Sequence, residues 1–346
     1  MTEALRASHG VEIPLSLRLE FHRALRRIRL LDERMQALQR QGRIGFYGPC
    51  TGQEAVPVAL GFALQASDWV FPALRESSVL LVRGFSLDSY LGQVFGNAED
   101  VLKGRQMPSH MSGRAANVVS WSSCIGTQLT HAVGAAWAAK IRRENMVSAA
   151  CLGDGATSSA DFHSALNFAQ VFRVPCVFVC QNNQWAISTP ASRQTASRTF
   201  AEKAHAYGMH AERLDGNDVC ALYLAFQGAA SRARAGLGPT FLECVTYRVG
   251  AHSTSDDPTL YRSDAEVAEW QTRDPIARLV RELSAEHALE AARERAIDAE
   301  LNAELDAALA RVETAPAPPR ASLFDDVYAE LPSHLLEQRK EFFAQR

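Results

Sequence analysis

The stretch from residue 146 to residue 183 constrains this chain more than any other. "MVSAACL" (146–152) is an apolar run of strand length, "GDG" (153–155) breaks it, residues 158–172 carry helical periodicity, and "PCVFVC" (175–180) is a second buried run that ends in "QNN". A strand, a helix and a strand joined this tightly make parallel neighbours with a right-handed crossover. "GPTFLECVTYRV" (238–249) supplies a later strand. The fold class that follows is α/β, a mostly parallel sheet with helices on both faces.

The flanking segments are helical. In residues 16–41, Leu17, Leu19, Phe21, Leu25, Ile28, Leu31 and Met35 form a broad apolar stripe among arginines. "GRIGFYGPCTGQE" (42–54) is a Gly-rich loop, and "AVPVALGFAL" (55–64) a second helix with Pro57 in its first turn, where proline is tolerated. "IGTQLTHAVGAAWAAKI" (125–141) reads as a helix rich in Gly and Ala, suited to close packing within the domain or at a subunit interface. Beyond residue 263 the chain is charged and helical, interrupted by the Pro-rich connector "TAPAPPR" (314–320) and ending in a tail, "SLFDDVYAELP" (322–332), apolar enough to dock. The division expected is an N-terminal helical extension (1–45), an α/β domain (46–262), and C-terminal helices with a docking tail packed on it (263–346).

Composition narrows the function classes. With 346 residues, 47% hydrophobic, the chain has ample length for a full core. A net charge of −3 gives no electrostatic reason to expect nucleic acid or an anionic membrane as partner. No apolar window approaches the roughly 18 residues of a membrane span. The N-terminus lacks the apolar core of a secretory signal, so a cytoplasmic location is expected. Seven scattered cysteines without a CxxC or a Cys/His cluster read as buried thiols in a reducing compartment, Cys176 and Cys180 sharing one strand face.

The chemistry lies at the strand ends, where open parallel sheets bind ligands. Gly153 and Gly155 permit a tight turn, and the N–H groups of the following helix would suit phosphate. Asp154 would repel that phosphate unless a divalent cation stands between them. Mg²⁺ takes a few protein oxygens and completes its octahedron with phosphate and water. Asn183, at the end of the next strand, can add an uncharged oxygen. Gly-Asp-Gly, then 26 residues, then Asn-Asn, with one helix and one strand between, resembles the thiamine diphosphate-binding motif.

The resemblance extends over "GRQMPSHMS" (104–112), "SSCIGTQLTHAVGAAWAAK" (122–140), "GDGATSSADFHSALNFA" (153–169), "NNQWAISTP" (182–190), "DGNDV" (215–219) and "TYRVGAHSTSDDPTLYR" (246–262). These run in the order found in alpha subunits of 2-oxo acid dehydrogenases. The chain is most similar to the branched-chain type, with the pyruvate and acetoin types close by.

That resemblance implies oxidative decarboxylation of a 2-oxo acid with thiamine diphosphate and Mg²⁺, and acyl transfer to a lipoyl-bearing acyltransferase. It implies a heterotetramer of two alpha and two beta subunits, the beta subunit supplying a glutamate to the cofactor. By the same resemblance, Asp154, Asn183 and the backbone oxygen of Trp185 would hold Mg²⁺. Arg75 would bind the diphosphate, and Gly153, Gly155 and Ala156 would surround it. Ser123, Ile125 and Ile187 would line the cofactor pocket, and His252 would be the catalytic histidine beside the reacting carbon. Ser122, Thr127 and Gln128 match a potassium site, and Ser253 a phosphorylation position in mitochondrial relatives.

Four positions depart from the pattern. Leu74 stands where many relatives have Tyr, Gln181 where the branched-chain type has Arg, Ser159 where Glu is common, and Ala251 where His or Pro precedes His252. A hydrogen bond to a charged group contributes about 1.5–3 kcal/mol, so Gln181 would lower cofactor affinity by about an order of magnitude or more. The departures leave two other readings open: a related enzyme that releases an aldehyde or forms an acyloin, and a non-catalytic partner subunit.

Overall fold

The computed structural model describes residues 12–344. The first residues of the N-terminal stretch read above for a signal lie outside that range.

Among the described residues seven strands occur in chain order: β1 (Trp69–Phe71), β2 (Ser148–Gly153), β3 (Cys176–Asn182), β4 (Trp185–Ala186), β5 (Thr189–Pro190), β6 (His210–Asp215) and β7 (Thr240–Val245). Five form one sheet in the order β1-β2-β3-β7-β6, every pair parallel. β4 and β5 make a small antiparallel hairpin beyond the end of β3. The helices are α1 (Leu15–Arg40), α2 (Ala55–Ala63), α3 (Val79–Val82), α4 (Leu87–Phe95), α5 (Thr127–Arg142), α6 (Ala160–Val171), α7 (Ala201–His205), α8 (Val219–Arg234), α9 (Asp264–Gln271), α10 (Pro275–Ala285), α11 (Ala291–Val312) and α12 (Ser333–Ala344).

Side chains of the central strands alternate between two cores, as the pleat requires. Ala149, Cys151, Val177, Val179, Leu242 and Cys244 face one side, packed beneath α2 and α8 with α1, α10 and α11 outside them. Ala150, Leu152, Cys176, Phe178, Cys180 and Phe241 face the other, beneath α5, α6 and α7. Being buried on both faces, these strands read as continuous apolar runs. Cys176 and Cys180 do share a face, and all seven cysteines are free. The α1 stripe is realised: Phe21, Leu25, Ile28, Leu31, Met35 and Leu38 are buried, while Arg26 grips Asp298 of α11 through two hydrogen bonds.

Two helix starts differ from the sequence reading. α5 begins at Thr127 rather than Ile125, because Gly126 adopts φ +95°. A Cβ there would meet the Ser159 hydroxyl at 2.5 Å, so the position needs glycine twice over. α6 begins at Ala160, after a 3₁₀ turn over Asp154–Ser158. Ser159 caps α6, its hydroxyl accepting from Phe162 N–H at 3.2 Å and donating to the Ala156 carbonyl at 2.8 Å. The helix end expected to face phosphate is therefore closed by a serine, and the 3₁₀ turn stands between it and the strand. Serine at 159, a departure from the family pattern, is the residue that ends this turn and starts the helix.

Candidate active site at the strand ends

β2 and β3 are neighbours in register, Gly153 opposite Gln181, so Asp154 and the Asn182–Asn183 pair emerge side by side. Asp154 and Asn183 border a cavity of about 490 Å³. Arg75 arrives from the short helical turn after β1, His252 from the loop after β7, and Trp185 and Ile187 from the β4–β5 hairpin. Ser122, Ser123, Ile125, Gln128, Gly153, Gly155 and Ala156 complete the expected set at this cavity. Of the anticipated residues only Thr127 does not line it; its hydroxyl donates to the Cys124 carbonyl at 2.9 Å.

Asp154 is almost fully buried, and burial pushes its carboxyl up to about 6. One oxygen accepts from Gln194 Nε2 at 2.6 Å. Arg248 acts on it through space without an ion pair. A buried carboxylate with no cation in contact fits a divalent metal. No group of three or more His, Cys, Asp or Glu side chains among the described residues is arranged for a metal. The donor set here is different: one carboxylate, one amide and a carbonyl, leaving positions for phosphate and water oxygens.

The two asparagines divide their work. Asn182 Nδ2 donates to Glu243 at 2.8 Å, and its Oδ1 accepts from Gln184 N–H at 3.2 Å, which ties the strand end to β7. Asn183 faces the cavity; its Oδ1 accepts from Trp185 N–H at 3.2 Å. The Trp185 carbonyl accepts from Arg248 Nη1 at 3.2 Å and keeps a second lone pair. Gly155 lets the hairpin close over the turn, since a Cβ at 155 would meet the Ala186 Cβ at 2.7 Å.

Ile187 holds φ +55°, a rare conformation for a β-branched residue. Arg248 Nη2 holds its carbonyl at 2.7 Å. Strain of this kind persists where surroundings over-determine it, often at functional sites. Ile187 and Ile125 are also mostly exposed at the cavity, two large apolar side chains facing solvent.

Arg75 is buried, and burial, with Arg248 next, lowers its guanidinium to about 10. It donates to the carbonyls of Pro49 and His252. His252 N–H donates to Asp256 at 2.7 Å, and burial followed by Arg75 and Arg248 holds its imidazole down at about 4. The ring is therefore neutral at ordinary pH. Ser253 is buried beside it.

Several residues at or behind the cavity were not singled out from sequence. Glu76 is buried there, its carboxyl pushed up by burial to about 7. His110, packed against Trp121 with ring centroids 4.1 Å apart and planes tilted by 40°, has Nε2 2.7 Å from the Ser123 hydroxyl. Gln53, Gln194 and Arg248 stand behind the residues expected to hold the cation. All five are isolated polar residues without periodicity, and only their spatial convergence marks them.

The departures also find their places. Gln181 donates one N–H to the Gln53 main-chain carbonyl at 2.9 Å, so the side chain that stands at this position is tied to the loop before α2. Leu74 packs over Gly48, where a Cβ would lie 2.7 Å from its Cδ1.

The dehydrogenase E1 component family model matches residues 22–321. The chain is 45% identical over 321 residues to the 3-methyl-2-oxobutanoate dehydrogenase subunit alpha of Mycobacterium tuberculosis H37Rv, covering 92% of this chain and 84% of that protein. It is 42% identical over 326 residues to the 2-oxoisovalerate dehydrogenase subunit alpha of Pseudomonas aeruginosa PAO1, covering 92% and 80%. To the mitochondrial 2-oxoisovalerate dehydrogenase subunit alpha of Homo sapiens it is 38% identical over 339 residues, covering 98% and 76%. With a parallel sheet whose strand ends carry Gly-Asp-Gly and Asn-Asn into one cavity, the chain belongs to the dehydrogenase E1 component family.

Proposed function

We propose that this chain is the alpha subunit of a branched-chain 2-oxo acid dehydrogenase, acting with thiamine diphosphate and Mg²⁺ on 3-methyl-2-oxobutanoate or a close analogue. The observation that carries the reading is the cavity itself, where a buried, cation-free Asp154 meets Asn183, Arg75 and His252. The names of the similar proteins support the substrate class.

Thiamine diphosphate, when bound, supplies the electron sink that lets carbon dioxide leave a 2-oxo acid. In this reading Asp154, Asn183 and the Trp185 carbonyl would hold Mg²⁺, and Arg75 would give the diphosphate a positive partner. Gly153, Gly155 and Ala156 let the backbone approach, while Ser123, Ile125 and Ile187 border the ring system. His252, kept neutral, can donate or accept a hydrogen bond beside the reacting carbon. A potassium ion is assigned to oxygens of Ser122, Thr127 and Gln128. Gln128 already donates to the Cys151 carbonyl at 2.9 Å, which leaves its oxygen free to ligate.

The chain works with a beta subunit in a two-alpha, two-beta assembly, and passes its acyl product to a lipoyl-bearing acyltransferase. Exposed Ile125 and Ile187 at the cavity support a site shared with another chain, and exposed Leu323, Val327 and Tyr328 in the tail support a contact with one away from the cavity. No helix among the described residues is long and apolar enough to cross a membrane. A cytoplasmic place of action is part of the same reading.

The test is decarboxylation of 3-methyl-2-oxobutanoate against pyruvate by the alpha–beta complex with an artificial electron acceptor. Preference for the branched acid, lost in Asp154→Ala, is expected. A complex with no saturable, Mg²⁺-dependent binding of thiamine diphosphate would overturn the reading.

A further inference from the structure

Gln53 lies in the Gly-rich loop before α2, and its side chain is fully buried. Its Oε1 accepts from Asn183 Nδ2 at 2.9 Å, and its main-chain carbonyl accepts from Gln181 Nε2 at 2.9 Å. On the other side of Asn183, Oδ1 accepts from the backbone N–H of Trp185 at 3.2 Å. A backbone N–H can only donate, so the Asn183 atom facing it is oxygen. The nitrogen therefore faces Gln53, and the Gln53 atom that meets it must be an acceptor. This arrangement leaves Gln53 Nε2 buried with no partner. Turning the Gln53 amide over would satisfy nothing, because two N–H donors would then face each other.

The Trp185 contact is long and would hold the Asn183 amide weakly by itself. We infer that Gln53 is a positioning residue that fixes the orientation of the Asn183 amide, so that Oδ1 and not Nδ2 is the atom free to meet a divalent cation. Gln181 has the supporting part, since its N–H anchors the Gln53 main chain. This inference rests on the reading of Asp154 and Asn183 as cation-holding residues. It also gives Gln181 a use that an arginine donor to phosphate would not have.

The experiment measures Mn²⁺ binding to the thiamine diphosphate-loaded alpha–beta complex, using the electron paramagnetic resonance signal of free Mn²⁺. Four complexes are compared: wild type, Gln53→Met, Asn183→Asp and the double variant. Methionine keeps the length of glutamine and removes the acceptor. Aspartate offers oxygen whichever way it turns, so nothing remains for Gln53 to orient. Loss of a partner behind a metal ligand typically weakens metal binding about 10–100-fold. Gln53→Met is expected to show a loss of that size when residue 183 is Asn, and none in the Asn183→Asp background. Equal losses in both backgrounds would mean a merely structural role and overturn the inference, as would no loss in either. Gln53→Glu, which retains an acceptor, carries the test if the methionine variant fails to assemble. It is expected to keep wild-type affinity, and a tenfold loss would count against the inference. If Asp154→Ala binds Mn²⁺ as tightly as wild type, the cation reading itself falls and takes this inference with it.

Discussion

Arg75 and His252, 177 residues apart in sequence, meet at the cavity with one guanidinium nitrogen 3.3 Å from His252 Nδ1. The same guanidinium donates to the His252 carbonyl, so the histidine's main chain and ring are both set by one arginine. Burial, then Arg75 and Arg248, disfavour the imidazolium.

The first prediction is the protonation state of His252. Its imidazole is expected to stay neutral from pH 5 upward and to titrate at about 4, read from the ring carbon shift of labelled histidine. The folded value lies below the unfolded value of about 6.5, so the unfolded chain binds the proton more readily between them. The stability from this group is complete above about 6.5 and is lost as pH falls toward 4. His252→Gln is expected to flatten that part of the pH–stability curve. A midpoint at or above 6.5 in the folded protein would contradict the geometry.

Arg75→Met should weaken thiamine diphosphate binding to the alpha–beta complex. Charge-assisted hydrogen bonds contribute about 1.5–3 kcal/mol, a loss of about 10–100-fold. Calorimetric titration of the cofactor measures it. Unchanged affinity would remove Arg75 from the diphosphate site.

Gly155→Ala tests how closely the hairpin covers the 3₁₀ turn. The added Cβ would sit 2.7 Å from the Ala186 Cβ, so one backbone must move. Overpacking of this kind costs about 1–3 kcal/mol. Denaturant unfolding should show it, and a neutral variant would mean that the hairpin lifts freely.

Asp68 and Arg234 join the start of β1 to the end of α8. Asp68 is fully buried and accepts two bonds from the guanidinium, at 2.9 and 2.5 Å, and two more from Gln65 N–H and Val147 N–H. Arg234→Met leaves that carboxylate buried without its cation, expected to cost about 3–5 kcal/mol in unfolding free energy. A loss below about 1 kcal/mol would show that the pair behaves like one at the surface.

What could be read along the chain was whatever is encoded over neighbouring residues. The apolar stripe of α1, the β2–α6–β3 unit, and the Gly-Asp-Gly to Asn-Asn spacing are local patterns with a period or a fixed offset. They were sufficient to give the sheet type and to bring two strand ends together. Helix starts were less legible, because a single backbone angle at Gly126 and a single hydroxyl at Ser159 decide them.

By itself, then, the sequence determined an α/β fold, the parallel pairing of two neighbouring strands, and the strand ends where a ligand would sit. Periodicity, turn chemistry and the handedness of crossovers leave few alternatives there. Only the tertiary structure decided what stands behind those ends. Gln53 reaches Asn183 across 130 positions, Gln194 reaches Asp154 across 40, and Arg248 reaches Trp185 across 63. Each is one polar residue in an irregular segment, and a single side chain has no period to read. Its partner exists only after the chain has closed around a cavity and burial has made every unpaired polar atom costly.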